Sequence, residues 1–174
     1  CLVGDLMCGA ESLLAYKNRR YDFSPAFYHV KSVLSKADYS VGVLETMCDD
    51  SQPYESDVLR TANGRPNSNS PSTFIGALKD AGFSGLVTAH NHNCDAGLKG
   101  LQTTINTILN YGMDNIGTMS LNPIIAEING INVAFIALSL LSNGLDGITK
   151  NAENDLGRFS EGYAKTLIDE ARNQ

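Results

Sequence analysis

The chain has 174 residues and 43% of them are hydrophobic, so it can bury a core and lacks the low hydrophobicity that is typical of a disordered chain. Its formal net charge is −6, with 13 Lys and Arg against 19 Asp and Glu, which argues against a nucleic-acid-binding protein and weakly against binding to an anionic membrane surface. No run reaches the roughly 18 apolar residues that span a bilayer, and no basic-then-apolar signal peptide opens the chain.

Short apolar runs alternate with helix-start signals in the first half of the chain. β-Strands are predicted at Leu2–Met7, Tyr39–Leu44 and Gly85–Ala89. Serine followed by proline is typical of a helix start, and it opens predicted helices at Ser24-Pro25 and Ser70-Pro71. Because strands that alternate with helices usually pair in parallel, the predicted sheet is largely parallel.

These two helices differ in what their sequences predict. The first is expected to bury an apolar stripe at helical spacing, formed by Phe27, Val30, Val33 and Leu34. The second is expected to end at Gly82, since glycine readily adopts the left-handed conformation that closes many helices.

The second half of the chain predicts two more helices and a hairpin. Amphipathic spacing predicts the helices over Leu98–Tyr111 and Glu161–Arg172. Between them, Asn129-Gly130 separates two β-rich runs, Ile124–Ile128 and Ile131–Leu138. Asn-Gly between such runs is the strongest short-range signal of a β-hairpin.

Two long polar stretches, Thr46–Ser70 and Ser139–Arg158, have little periodicity. A loop as long as the first is usually functional or mobile inside a compact domain, whereas we expect the second to be solvated. No internal repeat interrupts the pattern, so residues 1–174 are predicted to form a single α/β domain. The abrupt start at Cys1 and the lack of a strand after the last helix predict a partial domain, truncated at the C-terminus.

The ends of the three predicted parallel strands carry polar residues. They are Asp5 after the first strand, Glu45 after the second, and His90, Asn91 and His92, with Asp95 close behind, after the third. Ligands of parallel α/β sheets bind at the carboxyl ends of the strands, which meet at one edge. Carboxylate and amide oxygens with imidazole nitrogen suit a divalent cation such as Mn, Fe, Zn or Mg. A cation there would polarise a phosphoryl oxygen, and a nearby histidine would protonate a leaving group.

Each of these residues also has an ordinary structural interpretation. Asp5 and Asn91 could form turns, Glu45 could form a salt bridge, and either His90 or His92 could be a hydrogen-bonded structural histidine. The coincidence at three strand ends favours the functional interpretation.

Three of the four cysteines, Cys8, Cys48 and Cys94, lie within three residues of these strand ends. We expect them to be small buried hydrophobic residues, and the alternatives of thiolate metal ligands or a redox pair stay open.

The order of these motifs resembles the CapA-type capsule-synthesis (poly-γ-glutamate) family of the calcineurin-like metallophosphoesterase superfamily. The matching blocks are GDLM at 4–7, AD at 37–38 with VLET at 43–46, LKDAGF at 78–83, AHNH at 89–92 followed by Asp95 and Gly97, and the hairpin. Val43 and His90 stand where the family usually has Asn. The later family motifs "H.G.E" and "GH.PH" do not occur in these 174 residues.

The resemblance implies a metallophosphoesterase-like β-sandwich flanked by helices, with roles for particular residues. Asp5 and Glu45 would be metal carboxylates, Asn91 a ligand of a second metal, and His90 a further ligand. His92 would be the acid that protonates the leaving oxygen, and Asp95 would brace it.

The function implied is that of a metal-dependent phosphoesterase-like hydrolase that serves the synthesis or export of an anionic polymer such as poly-γ-glutamate. Its expected partners are that polymer or a phosphoester substrate and membrane-bound capsule-synthase subunits at the cell surface, with no nucleic acid. The alternative is a non-catalytic scaffold subunit of a capsule-synthase complex that binds metal or polymer without turnover.

Overall fold

The computed structural model describes residues 1–60, 64, 66–119, 121–143 and 155–174. The strands are Leu2–Asp5 (β1), Val41–Val43 (β2), Gly85–Val87 (β3), Asp114–Ile116 (β4), Ile124–Ile128 (β5) and Ile131–Phe135 (β6). The helices are Ala10–Lys17 (α1), Lys31–Leu34 (α2), Thr73–Ala81 (α3), Gly97–Asn110 (α4) and Glu161–Arg172 (α5), with a short 3-10 helix at Ser24–Phe27. Among the described residues, no helix is both long and apolar enough to span a membrane.

Strands β1 to β4 form a parallel sheet in the order β1-β2-β3-β4, which confirms the predicted α/β class and parallel pairing. Strands β5 and β6 pair antiparallel around Asn129-Gly130, so the predicted hairpin is confirmed. The described residues contain this one parallel sheet and this one hairpin, so the β-sandwich expected from the resemblance stays a prediction.

Helix α3 forms as its sequence predicts. It buries Ile75 and Leu78 completely against the sheet and ends at Gly82, which has a left-handed φ of 111°. A side chain at Gly82 would be strained by that φ and would bring a Cβ within 3.0 Å of the Ser35 backbone nitrogen. Glycine therefore lets the chain turn from α3 into β3 against the end of α2.

The helix predicted after Ser24-Pro25 is wrong in its extent and its buried face. The chain forms the 3-10 helix and the single turn α2 instead, and Val30 and Val33 are 48% and 65% exposed. Leu34 is buried, while the Phe27 ring packs against Phe74. The apolar spacing over this stretch was therefore not the buried stripe of a continuous helix.

Two elements were missed because their patterns are weak. Strand β4 has only three residues, Asp114–Ile116, and helix α1 buries only Leu13. Strand β4 nevertheless completes the sheet beside β3, and α1 follows directly after the end of β1.

Most of the buried hydrophobic residues form two clusters. The larger contains Phe23, Phe74, Ile75 and Leu78 and is built on α3 and the segment after α1. The smaller joins the start of the long polar stretch to α4 and to residues near the end of the chain, through Met47, Leu101, Ile105 and Leu156. Leu44 belongs to the larger cluster and Met47 to the smaller, so the two buried hydrophobic residues nearest to Glu45 in sequence pack into different clusters.

Candidate functional site at the carboxyl edge of the sheet

The parallel register brings the predicted strand-end residues to one edge. Asp5 is the last residue of β1 and is paired with Val43 of β2, while Val43 is in turn paired with Val87 of β3. Glu45 follows Val43 by two residues, and the loop that begins at His90 follows Val87 by three. The sheet thus places the three predicted groups side by side.

Asp5 and Glu45 form a carboxyl pair in hydrogen-bonding contact. The pKa of Glu45 is raised, first by partial burial and then by the hydrogen bond and negative charge of Asp5, while the charge of His92 acts in the opposite direction. Two carboxylates this close repel each other and favour a shared proton or a bound cation. The pair is therefore the part of the edge best suited to a cation.

His92 and Asp95 form a second pair beside the first. The Nδ1 atom of His92 lies 2.7 Å from Oδ2 of Asp95, whose side chain is fully buried. The same Oδ2 accepts a hydrogen bond from the Ser68 backbone N–H at 3.1 Å. Because a carboxylate accepts and does not donate, His92 donates through Nδ1, and Nε2 is the nitrogen left for a ligand.

The environment of His92 favours its charged form. Its pKa is raised, chiefly by the hydrogen bond to Asp95 and further by the charges of Asp95, Glu45 and Glu55, while partial burial opposes the shift. A raised pKa favours the protonated imidazolium, which is the form that a general acid requires.

His90 occupies a different environment two residues earlier. It is 6% exposed, and burial and the charge of His92 lower its pKa to about 3, against a smaller opposing effect of the Leu44 carbonyl. Its Nδ1 accepts the His92 backbone N–H at 3.1 Å, which places the proton of the neutral ring on the buried Nε2. Neither ring nitrogen of His90 then has a free lone pair in this arrangement, so His90 positions the backbone of His92. Metal ligation by His90 stays a prediction.

The long polar stretch after Glu45 is ordered by Asn69 within its described residues. The Asn69 side chain accepts the backbone N–H of Asp49 and donates to the carbonyls of Asp49, Gln52 and Pro53. Asn69 is fully buried, and its backbone carbonyl accepts a hydrogen bond from the backbone N–H of Glu55 at 2.9 Å. These hydrogen bonds fold the loop so that Ser68 lies beside Asp95 and Glu55 lies near His92. The loop therefore supplies part of the site.

Glu55 is the site residue that the sequence did not indicate. Its carboxylate accepts a hydrogen bond from the Ala10 backbone N–H, the first of α1, and interacts electrostatically with His92 and Asp95. Burial is the main reason that the pKa of Glu55 is raised. Glu55 lies in a stretch without periodicity, so only the folded loop reveals it.

A second loop covers Asn91 and His92. The Asn143 backbone N–H donates to the Asn91 carbonyl at 2.7 Å, and Asn143 Nδ2 lies 3.4 Å from His92 Nδ1. Ser142 donates to the Asn93 side chain at 2.8 Å. The expectation that Ser139–Arg158 is merely solvated is therefore wrong for these described residues, and 144–154 lie outside the described part. Metal binding by the Asn91 side chain stays a prediction.

The cysteines near the site are buried thiols. Cys8, Cys48 and Cys94 are 1%, 0% and 4% exposed, and none forms a disulfide. Burial raises the pKa of Cys8 and Cys48 to about 12 and that of Cys94 to about 11. Thiols that hold their protons this firmly are poor metal ligands, which supports their interpretation as small hydrophobic residues.

The donor set at this edge fits one side of a cation site. Within the part of the chain that the structure describes, no group of three or more His, Cys, Asp and Glu residues could hold a metal ion. The Asp5–Glu45 pair supplies two carboxylates, and Asn91 is the nearest amide in sequence to the neighbouring strand end. These oxygen donors suit a hard divalent cation whose remaining ligands come from elsewhere.

Two comparisons with known proteins agree with each other. The family model described as "Bacterial capsule synthesis protein PGA_cap" matches residues 1–173. The chain is 28% identical over 145 residues to "Capsule biosynthesis protein CapA" of Bacillus anthracis, a match that covers 79% of this chain and 34% of that relative. The chain thus spans about a third of the length of this relative.

Proposed function

The chain belongs to the bacterial capsule synthesis family PGA_cap, and from this premise we propose that it is a metal-dependent, phosphoesterase-like domain that serves synthesis or export of an anionic capsule polymer. The membership also confirms the resemblance to the CapA-type capsule-synthesis family that the sequence motifs predicted. The observation that carries the proposal is the pairing, at one sheet edge, of the Asp5–Glu45 carboxyls with the hydrogen-bonded His92 and Asp95.

Asp5 and Glu45 are proposed to hold a divalent cation (Mn, Fe, Zn or Mg), with Asn91 beside them. When bound, such a cation polarises a phosphoryl oxygen and makes a bound water more acidic. The carboxyl pair contributes the negative charge that attracts the cation, and binding removes the repulsion that raises the pKa of Glu45. Further ligands are proposed to come from residues beyond those described.

His92 is proposed to protonate the leaving oxygen from Nε2. Asp95 fixes the ring through Nδ1, and His90 holds the backbone N–H of His92. The negative charges of Glu45 and Glu55 favour the return of a proton to the ring after it has been given up. These contacts orient one histidine and keep it charged, as general acid catalysis requires.

A second candidate function is a non-catalytic subunit that binds metal or polymer. The observation that favours it is that, among the described residues, no group of three or more His, Cys, Asp and Glu side chains is placed to hold a metal ion by itself. In that case a cation held by Asp5 and Glu45 would bridge to the carboxylates of an anionic polymer, and membrane-bound capsule-synthase subunits at the cell surface would be the partners.

Leaving-group dependence separates the two functions. Two phosphodiesters that differ only in the leaving group, p-nitrophenolate or an alkoxide, are hydrolysed in the presence of Mn²⁺ by the wild type and by His92→Gln. Loss of a general acid typically costs about 10²–10⁴-fold, and we expect this loss for the alkoxide, because p-nitrophenolate leaves without protonation. The exposed histidine offers the matched control His29→Gln.

The outcomes assign the function directly. A large loss on the alkoxide diester with a small loss on the p-nitrophenyl diester supports His92 as the acid. Equal losses on both substrates would contradict that role. No hydrolysis by the wild type, with cation binding retained, would support the non-catalytic subunit.

A further inference from the structure

A cavity of about 230 Å³ opens beside Asp5, between the end of β1, helix α1 and the 3-10 helix. Its wall includes Asp5 itself, the following residues Leu6 to Cys8, Ser12 of α1 and Ala26 of the 3-10 helix. Asp5 thus belongs both to this cavity and to the carboxyl pair with Glu45. The cavity therefore adjoins the candidate site through Asp5.

The deep wall of the cavity is aromatic. Phe23 and Phe74 are 2% and 5% exposed, and their rings meet edge to face with centroids 5.3 Å apart. The ring centroids of Tyr16 and Phe23 are 5.1 Å apart, and those of Phe27 and Phe74 are 6.2 Å apart. Packed rings of this kind make a rigid apolar surface, which favours an apolar or aromatic occupant.

The charges around the cavity exclude an anionic occupant. The described residues that line it include no lysine or arginine, and they include the acidic Asp5. Cys8 remains a neutral thiol, since burial raises its pKa to about 12. A carboxylate-bearing unit, such as glutamate, would be desolvated among the aromatic rings, away from the cation proposed at Asp5.

We propose that this cavity is an apolar subsite, which holds an uncharged aromatic or alkyl group attached to the phosphoryl group that reacts at Asp5 and Glu45. A cavity of about 150 Å³ accommodates benzene, so the volume here fits a group of roughly ten carbons. The inference rests on the proposed function, because it places the phosphoryl group at the carboxyl pair. It adds that the substrate is amphiphilic and is not a purely anionic polymer segment.

Binding of non-hydrolysable ligands tests the subsite without turnover. The ligands are 1-naphthylmethylphosphonate and methylphosphonate, which share the head group and differ in the ring, with Mn²⁺ present. The chain has no tryptophan, so naphthalene fluorescence is read against a low background. Since each buried methylene is worth roughly a fourfold change in affinity, we expect the naphthyl ligand to bind at least about tenfold more tightly.

Matched variants locate the effect. Ala26→Phe fills the cavity from one wall and Ser12→Phe fills it from the other, while Ala15→Phe adds the same ring on an exposed part of α1 that does not line the cavity. The preference for the naphthyl ligand should be lost in both filling variants and retained in Ala15→Phe. Circular dichroism checks that each variant is folded.

Three outcomes decide the proposal. Equal affinity for both phosphonates, or a naphthyl preference that survives both filling variants, would overturn it. A naphthyl preference that is lost only on filling supports it. If neither phosphonate binds but uncharged 1-naphthalenemethanol binds and is displaced by filling, the apolar subsite stands, and the phosphoryl site of the proposed function is contradicted.

Discussion

Nδ1 of His92 lies 2.7 Å from Oδ2 of Asp95. Asp95 follows His92 by three residues, and its side chain is fully buried. The same carboxylate oxygen accepts the Ser68 backbone N–H, so a single atom joins the histidine loop to the long loop after β2. This contact fixes both the tautomer and the orientation of the His92 ring.

Asp95→Asn tests the electrostatic effect of that carboxylate. The substitution keeps an oxygen near Nδ1 but removes the charge, so the pKa of His92 should fall from its raised value. NMR titration of the histidine ring protons measures the change, with exposed His29 as the internal reference. An unchanged His92 titration would show that Asp95 does not set the pKa.

The same pair predicts how stability depends on pH. Because the folded-state pKa of His92 is raised above 6.5, its interaction contributes stability that is fully present below pH 6.5 and is lost as the pH rises through the raised pKa. Urea unfolding of wild type and His92→Gln at about pH 6 and about pH 9 should show a larger difference at the lower pH. A constant difference would contradict this prediction.

Glu45→Gln should have opposite effects with and without a cation. Since burial and the neighbouring Asp5 raise the folded-state pKa of Glu45 above 4.5, ionisation of Glu45 removes stability as the pH rises through that raised pKa, and the neutral amide avoids the loss. Without divalent cations at neutral pH, we expect the melting temperature of the variant to rise by roughly 1–3 °C. With Mn²⁺, the wild type should gain more than the variant, because it keeps both carboxylates.

Thermal melts with chelator and with Mn²⁺ check this crossover. The matched control is Glu127→Gln, an exposed glutamate on β5 away from the pair. The same Mn²⁺ gain for wild type and Glu45→Gln would argue against Glu45 as a ligand.

Asn69→Ala should disorder the loop that completes the site. The buried side chain makes one accepted and three donated hydrogen bonds to the backbone, so its loss leaves buried polar groups without partners and costs about 1–3 kcal/mol. The pKa of His92 should also fall, since Glu55 is held by Asn69. Chemical denaturation and histidine titration measure both effects, and exposed Asn106→Ala is the control, expected within about 0.5 kcal/mol of the wild type.

Two glycine substitutions should change stability in opposite directions. Gly82→Ala forces a Cβ into a left-handed position 3.0 Å from the Ser35 nitrogen and should destabilise the fold by about 1–2 kcal/mol. Gly162→Ala, in the open first turn of α5, should stabilise it by up to about 1 kcal/mol. Equal effects in urea unfolding would contradict the role assigned to Gly82.

The sequence predicted those parts of the fold that depend on local signals. Serine-proline and Gly82 bracket α3, Asn129-Gly130 marks the hairpin, and alternation of strands and helices predicts the parallel sheet. Strand β4 was not predicted, because its three residues, Asp114–Ile116, are too few to show a hydrophobic periodicity. The helix expected after Ser24-Pro25 failed because apolar spacing does not reveal that Val30 and Val33 stay exposed.

The residues of the candidate site likewise divide into those that the sequence predicts and those that only the folded structure reveals. Asp5 ends β1, and Glu45 and His92 lie in the loops just after β2 and β3, so parallel pairing predicts that they share one edge of the sheet. Glu55 and Asn69 reach the site through loop closure, and the hydrogen bonds of Asn69 span up to 20 residues. Such contacts leave no periodic pattern in the sequence.

The central claim is that the carboxyl edge of the sheet binds a divalent cation through Asp5 and Glu45. The most direct measurement is the metal content of the protein after equilibrium dialysis against Mn²⁺, determined by mass spectrometry beside the double variant Asp5→Asn/Glu45→Gln. We predict bound Mn²⁺ in the wild type that is lost in a double variant whose circular dichroism is unchanged. Equal metal content in the two proteins, or no bound metal in the wild type, would contradict the account.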